Sequence, residues 1–92
     1  MVLSEKATVV VSRDQISSNL GGEAAILNLK NGVYYGLDPV GARVWALIQQ
    51  PRTIAELRDI LAAEYDVATP QLEADLLELL GNLAGMELVE VA

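Results

Sequence analysis

The chain has 92 residues, 52% of them apolar, with six Lys and Arg against thirteen Asp and Glu and a formal net charge of −7. This length predicts one domain spanning 1–92, with its core at about 8–91, and the apolar content excludes a disordered acidic tail. The acidic balance disfavours nucleic acid, whose phosphates need a basic face, and favours a basic partner.

The residue types that are missing exclude several kinds of chemistry. The sequence has no cysteine and no histidine, which rules out disulfides and thiolate metal sites and removes the commonest general base. It also has no phosphate-binding glycine loop and no recognisable nucleophile motif. We therefore expect a protein that is not an enzyme and holds neither cofactor nor metal.

The compartment is predicted from the absence of targeting features. No apolar run reaches the ~20 residues of a membrane span. The segment from Met1 to Lys6 lacks the basic start and apolar middle of a signal peptide. The expected location is the cytoplasm.

The first half of the chain predicts β-structure. Apolar segments at residues 8–12, 24–29 and 33–37 are typical of strands. Asn31-Gly32 predicts a hairpin turn between the second and third segments. Residues 13–23 read as a polar connection with a turn at Gly21-Gly22. These segments together predict a three-stranded antiparallel sheet.

The second half predicts helices, and the first two have clear start signals. Asp38 before Pro39 suits a helix start, because the aspartate accepts from a free backbone N–H and proline fits the first turn. Thr53 and Glu56 match a capping box that opens a second helix, which runs to about residue 65.

A third helix is predicted from Thr69-Pro70 to about Gly85, followed by a short closing strand over residues 86–91. Its apolar face is formed by Leu72, Leu76, Leu79, Leu80 and Leu83. Helices two and three resemble a helix-turn-helix pair. The predicted fold class is α+β and winged-helix-turn-helix-like, with a three-stranded antiparallel sheet followed by three helices.

Residues 32–48, GVYYGLDPVGARVWALI, resemble the pattern G-x-Y-Y-x-L-[ND]-x-x-G-x-x-[IV]-W-x-L of PqqD-like proteins. The resemblance extends from about Thr8 over nearly the whole chain. It implies a recognition element for ribosomally synthesised and post-translationally modified peptides (RiPPs). Such an element binds the leader segment of a precursor peptide as an added strand beside the third strand and against the third helix.

The resemblance also implies a setting for this function. A short freestanding chain is similar to the leader-binding protein of lasso-peptide clusters. The partner there is a separate leader peptidase of the cysteine-protease type, to which the leader is delivered. A PqqD-type peptide chaperone in pyrroloquinoline quinone biosynthesis is the alternative.

The expected peptide-binding residues lie on the third strand and the third helix. An exposed sheet edge can be completed by an added strand, and a helix border with an apolar centre can hold a side chain. The candidates are Val33, Tyr34, Tyr35, Gly36, Leu37, Asp75, Leu76, Leu79 and Asn82. Structural roles are the alternative to peptide contact. Leu76 and Leu79 are equally suited to the hydrophobic core, and Asp75 and Glu78 are suited to a solvated helix face.

Two other functions share parts of this pattern. A DNA-binding winged helix would use the third helix for recognition, but that helix carries Glu73, Asp75 and Glu78 and no Lys or Arg, so phosphate would repel it. A dimerisation module would pair the exposed third strand with a second copy.

Overall fold

The computed structural model describes residues 4–92. Residues 1–3, which begin the predicted domain and the segment compared with a signal peptide, lie outside the described residues. The elements in chain order are β1 (Thr8–Val11), β2 (Gln15–Leu20), β3 (Glu23–Asn28), β4 (Tyr34–Leu37), α1 (Pro39–Leu47), β5 (Arg52–Thr53), α2 (Ile54–Glu64), α3 (Thr69–Gly85) and β6 (Val89–Val91).

The strands form two antiparallel sheets, in the orders β2-β3-β4 and β5-β1-β6. The predicted α+β class, with a three-stranded sheet and three helices, is confirmed. The prediction that residues 8–12 share a sheet with residues 24–29 and 33–37 was wrong. Strand β1 pairs with β5 and β6 instead, and the third strand of the β3–β4 sheet is β2, which lies in the predicted polar connection. Residues 16–19 of β2 have exposed side chains, and no alternation of apolar and polar residues marks this segment as a strand in the sequence.

The two hairpin turns differ from expectation in their geometry. Gly21 and Gly22 have φ of +61° and +90° and join β2 to β3 as a two-residue turn, a conformation that glycine adopts without steric cost. The predicted turn at Asn31-Gly32 exists, but only Gly32 has positive φ. Residues 29–33 form the loop between β3 and β4, which is longer than a two-residue turn. Within it the Gly32 amide donates to the Asn28 carbonyl at 2.8 Å.

Two of the three predicted helix starts have the expected caps. The Gly41 amide donates to Asp38 Oδ1 at 2.8 Å. Thr53 and Glu56 form a reciprocal capping box with distances of 3.0 and 3.1 Å. These contacts use residues within one turn of each other, which is why the sequence predicts them well.

Helix α3 begins and ends differently from the prediction. Its N-cap is Ala68, which makes no side-chain cap hydrogen bond, so Thr69 does not cap the helix as predicted. At the other end α3 stops at Gly85 as expected, but the residue with left-handed backbone is Glu87, at φ 58°. The Leu88 amide donates to the Leu83 carbonyl at 2.9 Å, which is the hydrogen bond of a Schellman motif.

No helix within residues 4–92 combines the length and apolar character that crossing a bilayer requires.

One hydrophobic core joins the sheets and the helices. Strands β1, β3, β4 and β6 contribute to it, and Trp45 of α1 lies in it at 4% exposure. The helical core residues are Ala42, Val44, Trp45, Leu47, Ile48, Ile54, Leu57, Leu61, Leu72, Leu76, Leu80 and Leu83.

Asn28 is the one buried polar residue of the described core, at 1% exposure. Its Nδ2 donates to the carbonyl of Met86, the C-cap of α3, at 2.9 Å. Its Oδ1 accepts from the Lys30 amide at 2.9 Å. The side chain therefore satisfies an otherwise free helix-end carbonyl and fixes the β3–β4 turn with the same amide group.

We predict that Asn28→Ala lowers the free energy of unfolding by about 1–3 kcal/mol, because the Met86 carbonyl and the Lys30 amide lose their partner. Urea denaturation followed by circular dichroism measures this change. The matched control is Asn31→Ala in the same turn, where Asn31 Oδ1 accepts only from the exposed Val33 amide. Equal losses in the two variants would contradict the role given to Asn28.

Candidate functional site

A groove of about 380 Å³ lies between the start of α1, the end of α2 and one face of α3. Its floor is apolar and three carboxylates stand among its lining residues. The lining residues are Asp38, Val40, Gly41, Val44, Leu61, Tyr65, Val67, Leu72, Asp75, Leu76, Glu78, Leu79 and Asn82. This size is at the lower end of the range for pockets that hold small ligands or side chains.

Gly41 brings the start of α1 against the end of β4. A Cβ atom at this position would lie 3.1 Å from Leu37 Cδ2 and 3.2 Å from Asp38 Oδ1. Both distances are shorter than ordinary van der Waals contacts, so only glycine allows this approach without a shift of its neighbours. The groove therefore begins directly where β4 ends.

An ion pair joins α1 to the last turn of α2 beside the groove. Arg43 Nε donates to Glu64 Oε1 at 2.9 Å, and Arg43 Nη2 donates to Glu64 Oε2 at 2.7 Å. Hydrogen bonding to Arg43 lowers the pKa of Glu64 below its ordinary value of 4.5. Val44 follows Arg43 in α1, and Tyr65, the C-cap of α2, follows Glu64. Since both line the groove, the ion pair positions two parts of it.

Strand β4 is an edge strand, with β3 on one side and no strand on the other among residues 4–92. The Asn28 amide donates to the Val33 carbonyl at 2.9 Å, and hydrogen-bonded pairs alternate along an antiparallel ladder. Tyr35 and Leu37 therefore bond to β3, in register with Ile26 and Ala24. The backbone N–H and C=O groups of Tyr34 and Gly36 point to the free edge.

The side chains of β4 alternate between the core and the outer face of the sheet. Leu37 is buried and Tyr35 is half-buried against the core, whereas Tyr34 is 70% exposed. A peptide strand added at this edge would continue the same alternation. Its residues would point in turn toward the helices and away from them.

The structure brings four of the nine candidate residues into the groove: Asp75, Leu76, Leu79 and Asn82. Gly36 and Leu37 line a shallower hollow that meets the groove at Asp38. Val33, Tyr34 and Tyr35 line neither of these depressions. The four helix candidates thus share the groove, and of the strand candidates only Gly36 and Leu37 line the hollow beside it.

The third helix presents both core and surface residues to the groove. Leu76 is 3% exposed and belongs to the core while also forming groove wall, and Leu79 is half-buried. Asp75, Glu78 and Asn82 are exposed along the border of this face. The core role predicted for Leu76 is therefore confirmed, and its contact with a leader peptide stays a prediction.

Sequence reasoning missed the apolar residues that the other elements supply. Val40 at the start of α1 and Val67 in the α2–α3 loop are 40% and 45% exposed and line the groove. A valine in the short loop before α3 was the available signal for Val67, because loops of this kind are usually polar.

Within residues 4–92, no three or more Asp and Glu side chains lie in an arrangement that could hold a metal ion. What the arrangement offers chemically is an apolar floor, free backbone donors and acceptors on an adjoining strand edge, and carboxylates at the border. These are features of peptide recognition.

A family model for coenzyme PQQ synthesis protein D (PqqD) matches residues 23–89, which include β3, β4, all three helices and the groove. The chain belongs to the PqqD family. The resemblance inferred from residues 32–48 is thereby confirmed. A search of curated protein sequences gave no significant match.

Two solved structures resemble the PqqD-family fold of this chain over nearly its whole length. TbiB1 in complex with the TbiA(beta) leader peptide is 38% identical, with a TM-score of 0.83, covering 88% of this chain and 94% of TbiB1. A lasso peptide synthetase B1 complexed with the leader peptide is 17% identical, with a TM-score of 0.79, covering 89% and 96%. The second match supports the fold alone.

We predict that Glu64→Gln lowers thermal stability at neutral pH and that the difference from the parent chain shrinks in acid. A carboxyl group with a lowered pKa in the folded state contributes stability above its ordinary value of 4.5. This contribution is lost as the pH falls through the folded-state value. Thermal melts between neutral pH and acid measure the effect.

The control is Glu90→Gln, an exposed residue with no ion pair among the described residues. It should change the melting temperature little at any pH. A Glu64→Gln difference that is constant with pH would show that the ion pair does not cause it.

Proposed function

We propose that this chain binds the leader segment of a ribosomally synthesised precursor peptide. The leader adds as a strand at the free edge of β4 and places side chains in the groove against α3. One observation carries the proposal: backbone groups of Tyr34 and Gly36 face an open edge that runs directly into an apolar groove. An added strand satisfies such an edge, and the groove supplies selectivity.

The structural comparison supports this assignment. TbiB1, which is 38% identical over 88% of this chain, was solved in complex with the TbiA(beta) leader peptide. The two chains share one fold, at a TM-score of 0.83. The peptide-binding candidates on β4 and α3 are therefore proposed as leader contacts, with Val40 and Val67 added to them.

We place this activity in lasso-peptide biosynthesis. The start of the family motif, Tyr34-Tyr35-Gly36-Leu37-Asp38, supports this setting. The match to the PQQ synthesis protein D model favours a second candidate, a peptide chaperone in pyrroloquinoline quinone biosynthesis. These two candidate functions differ in the precursor peptide that is bound, and both would use the apolar, acid-bordered groove.

The proposed role is that of an adaptor rather than an enzyme. The whole of 1–92 acts as one recognition domain in the cytoplasm, where ribosomal precursors are made, and delivers the leader to a separate peptidase or modifying enzyme. The chain contains no histidine or cysteine, so it has neither of the residues that such a peptidase uses most often as base and nucleophile. Chemistry on the precursor then falls to the partner.

Binding of duplex DNA is disfavoured by the same surface. Helix α3 would be the recognition helix of a winged helix-turn-helix protein. Its exposed border carries Asp75 and Glu78, and the helix has no Lys or Arg. The phosphates of a DNA backbone would meet like charge there.

We predict that Gly36→Pro weakens binding of a synthetic TbiA(beta) leader peptide by about tenfold. Proline removes the amide that faces the free edge and adds bulk where the peptide backbone approaches, while the bonds of Tyr35 and Leu37 to β3 remain. Fluorescence anisotropy with labelled peptide measures the change in Kd.

The matched control is Gly36→Ala, which keeps the amide. A Cβ atom at this position meets nothing within 4 Å, so binding should stay within about twofold of the parent. Urea denaturation confirms that both variants fold. If both bind the leader as tightly as the parent chain, strand addition at β4 is wrong.

A second prediction concerns the groove. Val67→Ser should weaken leader binding by about fivefold, because a half-exposed valine that becomes buried contributes on the order of 1 kcal/mol. Val10→Ser is the control, since Val10 is 39% exposed and lies on β1 outside the groove. Isothermal titration calorimetry compares the two, and equal losses would remove the groove from the binding site.

A further inference from the structure

The groove has an uneven distribution of charge. Asp38, Asp75 and Glu78 are exposed and line it, and no Lys or Arg of the described residues does. None of the three carboxylates forms an ion pair within residues 4–92. The apolar floor lies beneath them, so the groove combines a hydrophobic surface with a negatively charged border.

The three carboxylates keep acceptor capacity for a ligand. Asp38 Oδ1 accepts from the Gly41 amide at 2.8 Å, and Asp75 Oδ1 accepts from Gln71 Nε2 at 2.8 Å. Each of these groups has a second oxygen that accepts no hydrogen bond within the described residues, and Glu78 has both of its oxygens available there. A carboxylate can accept several hydrogen bonds, so an incoming cation has room to bind.

The cations that lie nearest along the chain are already committed elsewhere. Arg43 of α1 donates two hydrogen bonds to Glu64. Arg58 of α2 forms ion pairs with Glu5 and Asp59. These pairs hold their elements together and leave the border uncompensated. Low-polarity surroundings on one side of a charged border strengthen its field at the groove.

The positions of the carboxylates match the path of an added strand. Asp75 and Glu78 are three residues apart on α3 and so lie on one side of it. Asp38 stands opposite, where β4 ends and α1 begins. A peptide that leaves the β4 edge and enters the groove would pass between these two borders.

We propose that the groove selects a leader segment in which an apolar side chain is accompanied, within about two residues, by a Lys or Arg. This inference rests on the proposed function. The apolar side chain contacts Val40, Val67 and Leu79, and the cation pairs with Glu78 or Asp75. An acidic leader is rejected by the same carboxylates, which adds a repulsive element to the selection.

A positional scan of the synthetic TbiA(beta) leader peptide tests this selection. Each residue in turn is replaced by Lys, Gln or Glu, and the Kd of every peptide is measured by fluorescence anisotropy at low salt. At one or two positions the Lys peptide should bind about tenfold more tightly than the Glu peptide, because an exposed ion pair changes affinity by a few fold and charge reversal acts twice. The difference should shrink when the salt is raised to about 0.5 M.

Variants of the chain assign the effect to the border. Glu78→Lys should reverse the preference at those positions, and a double Asp75→Asn, Glu78→Gln variant should abolish it. Glu90→Lys makes the same change in net charge on β6, where Glu90 lines no part of the groove, and should leave the preference intact. Circular dichroism and urea denaturation confirm that each variant folds.

The outcomes separate this inference from the proposed function. If the leader binds but Lys, Gln and Glu are equivalent at every position, the charge selection is wrong and leader binding stands. If the preference follows net charge, so that Glu90→Lys acts like Glu78→Lys, the groove border is not its source and the inference fails. If no peptide of the scan binds, the proposed function fails together with it.

Discussion

The arrangement of this molecule depends on one buried amide. Asn28 donates to the Met86 carbonyl at the end of α3 and accepts from the Lys30 amide in the β3–β4 turn. It therefore holds the sheet that carries the free edge to the helix that forms the groove wall. An apolar side chain of similar size would fill the space but leave a helix-end carbonyl and a turn amide unpaired in the core. Packing alone would not set the angle between these two elements, because hydrophobic contacts are not directional.

Around that link, recognition is divided between two surfaces with different physics. The edge of β4 offers backbone hydrogen bonds, which any peptide can make, and so contributes affinity with little preference for sequence. The groove offers an apolar floor and a charged border, which only some side chains fit. The junction lies at residues 37–41, where Gly41 lets α1 approach Leu37. A single glycine thus makes the two surfaces continuous.

Local features of the chain were predictable, and nonlocal ones were not. The Asp38 cap, the Thr53–Glu56 capping box and the leucine face of α3 follow from residues one or two turns apart. The exposed edge at β4 followed from the hairpin pattern and the family resemblance. In contrast, β2 is polar and weakly patterned, and nothing near β1 shows that its partners are β5 and β6. The direction of the Gly36 amide could not be predicted, because it depends on the register between β3 and β4. The position of Val67 in the groove could not be predicted either, because it depends on how the three helices pack.

The pairing of β1 with β6 also bears on how the chain folds. The Thr8 amide donates to the Ala92 carbonyl at 2.8 Å, and the Ala92 amide donates to the Thr8 carbonyl at 3.0 Å. This contact joins the most widely separated residues among the strand pairings of residues 4–92, whereas β2, β3 and β4 join through short turns. Loop closure costs entropy before any contact is gained, so distant pairings form late in folding. The hairpins that bear the binding edge can thus form before the ends of the chain meet, and the β1–β6 ladder then closes the fold behind α3.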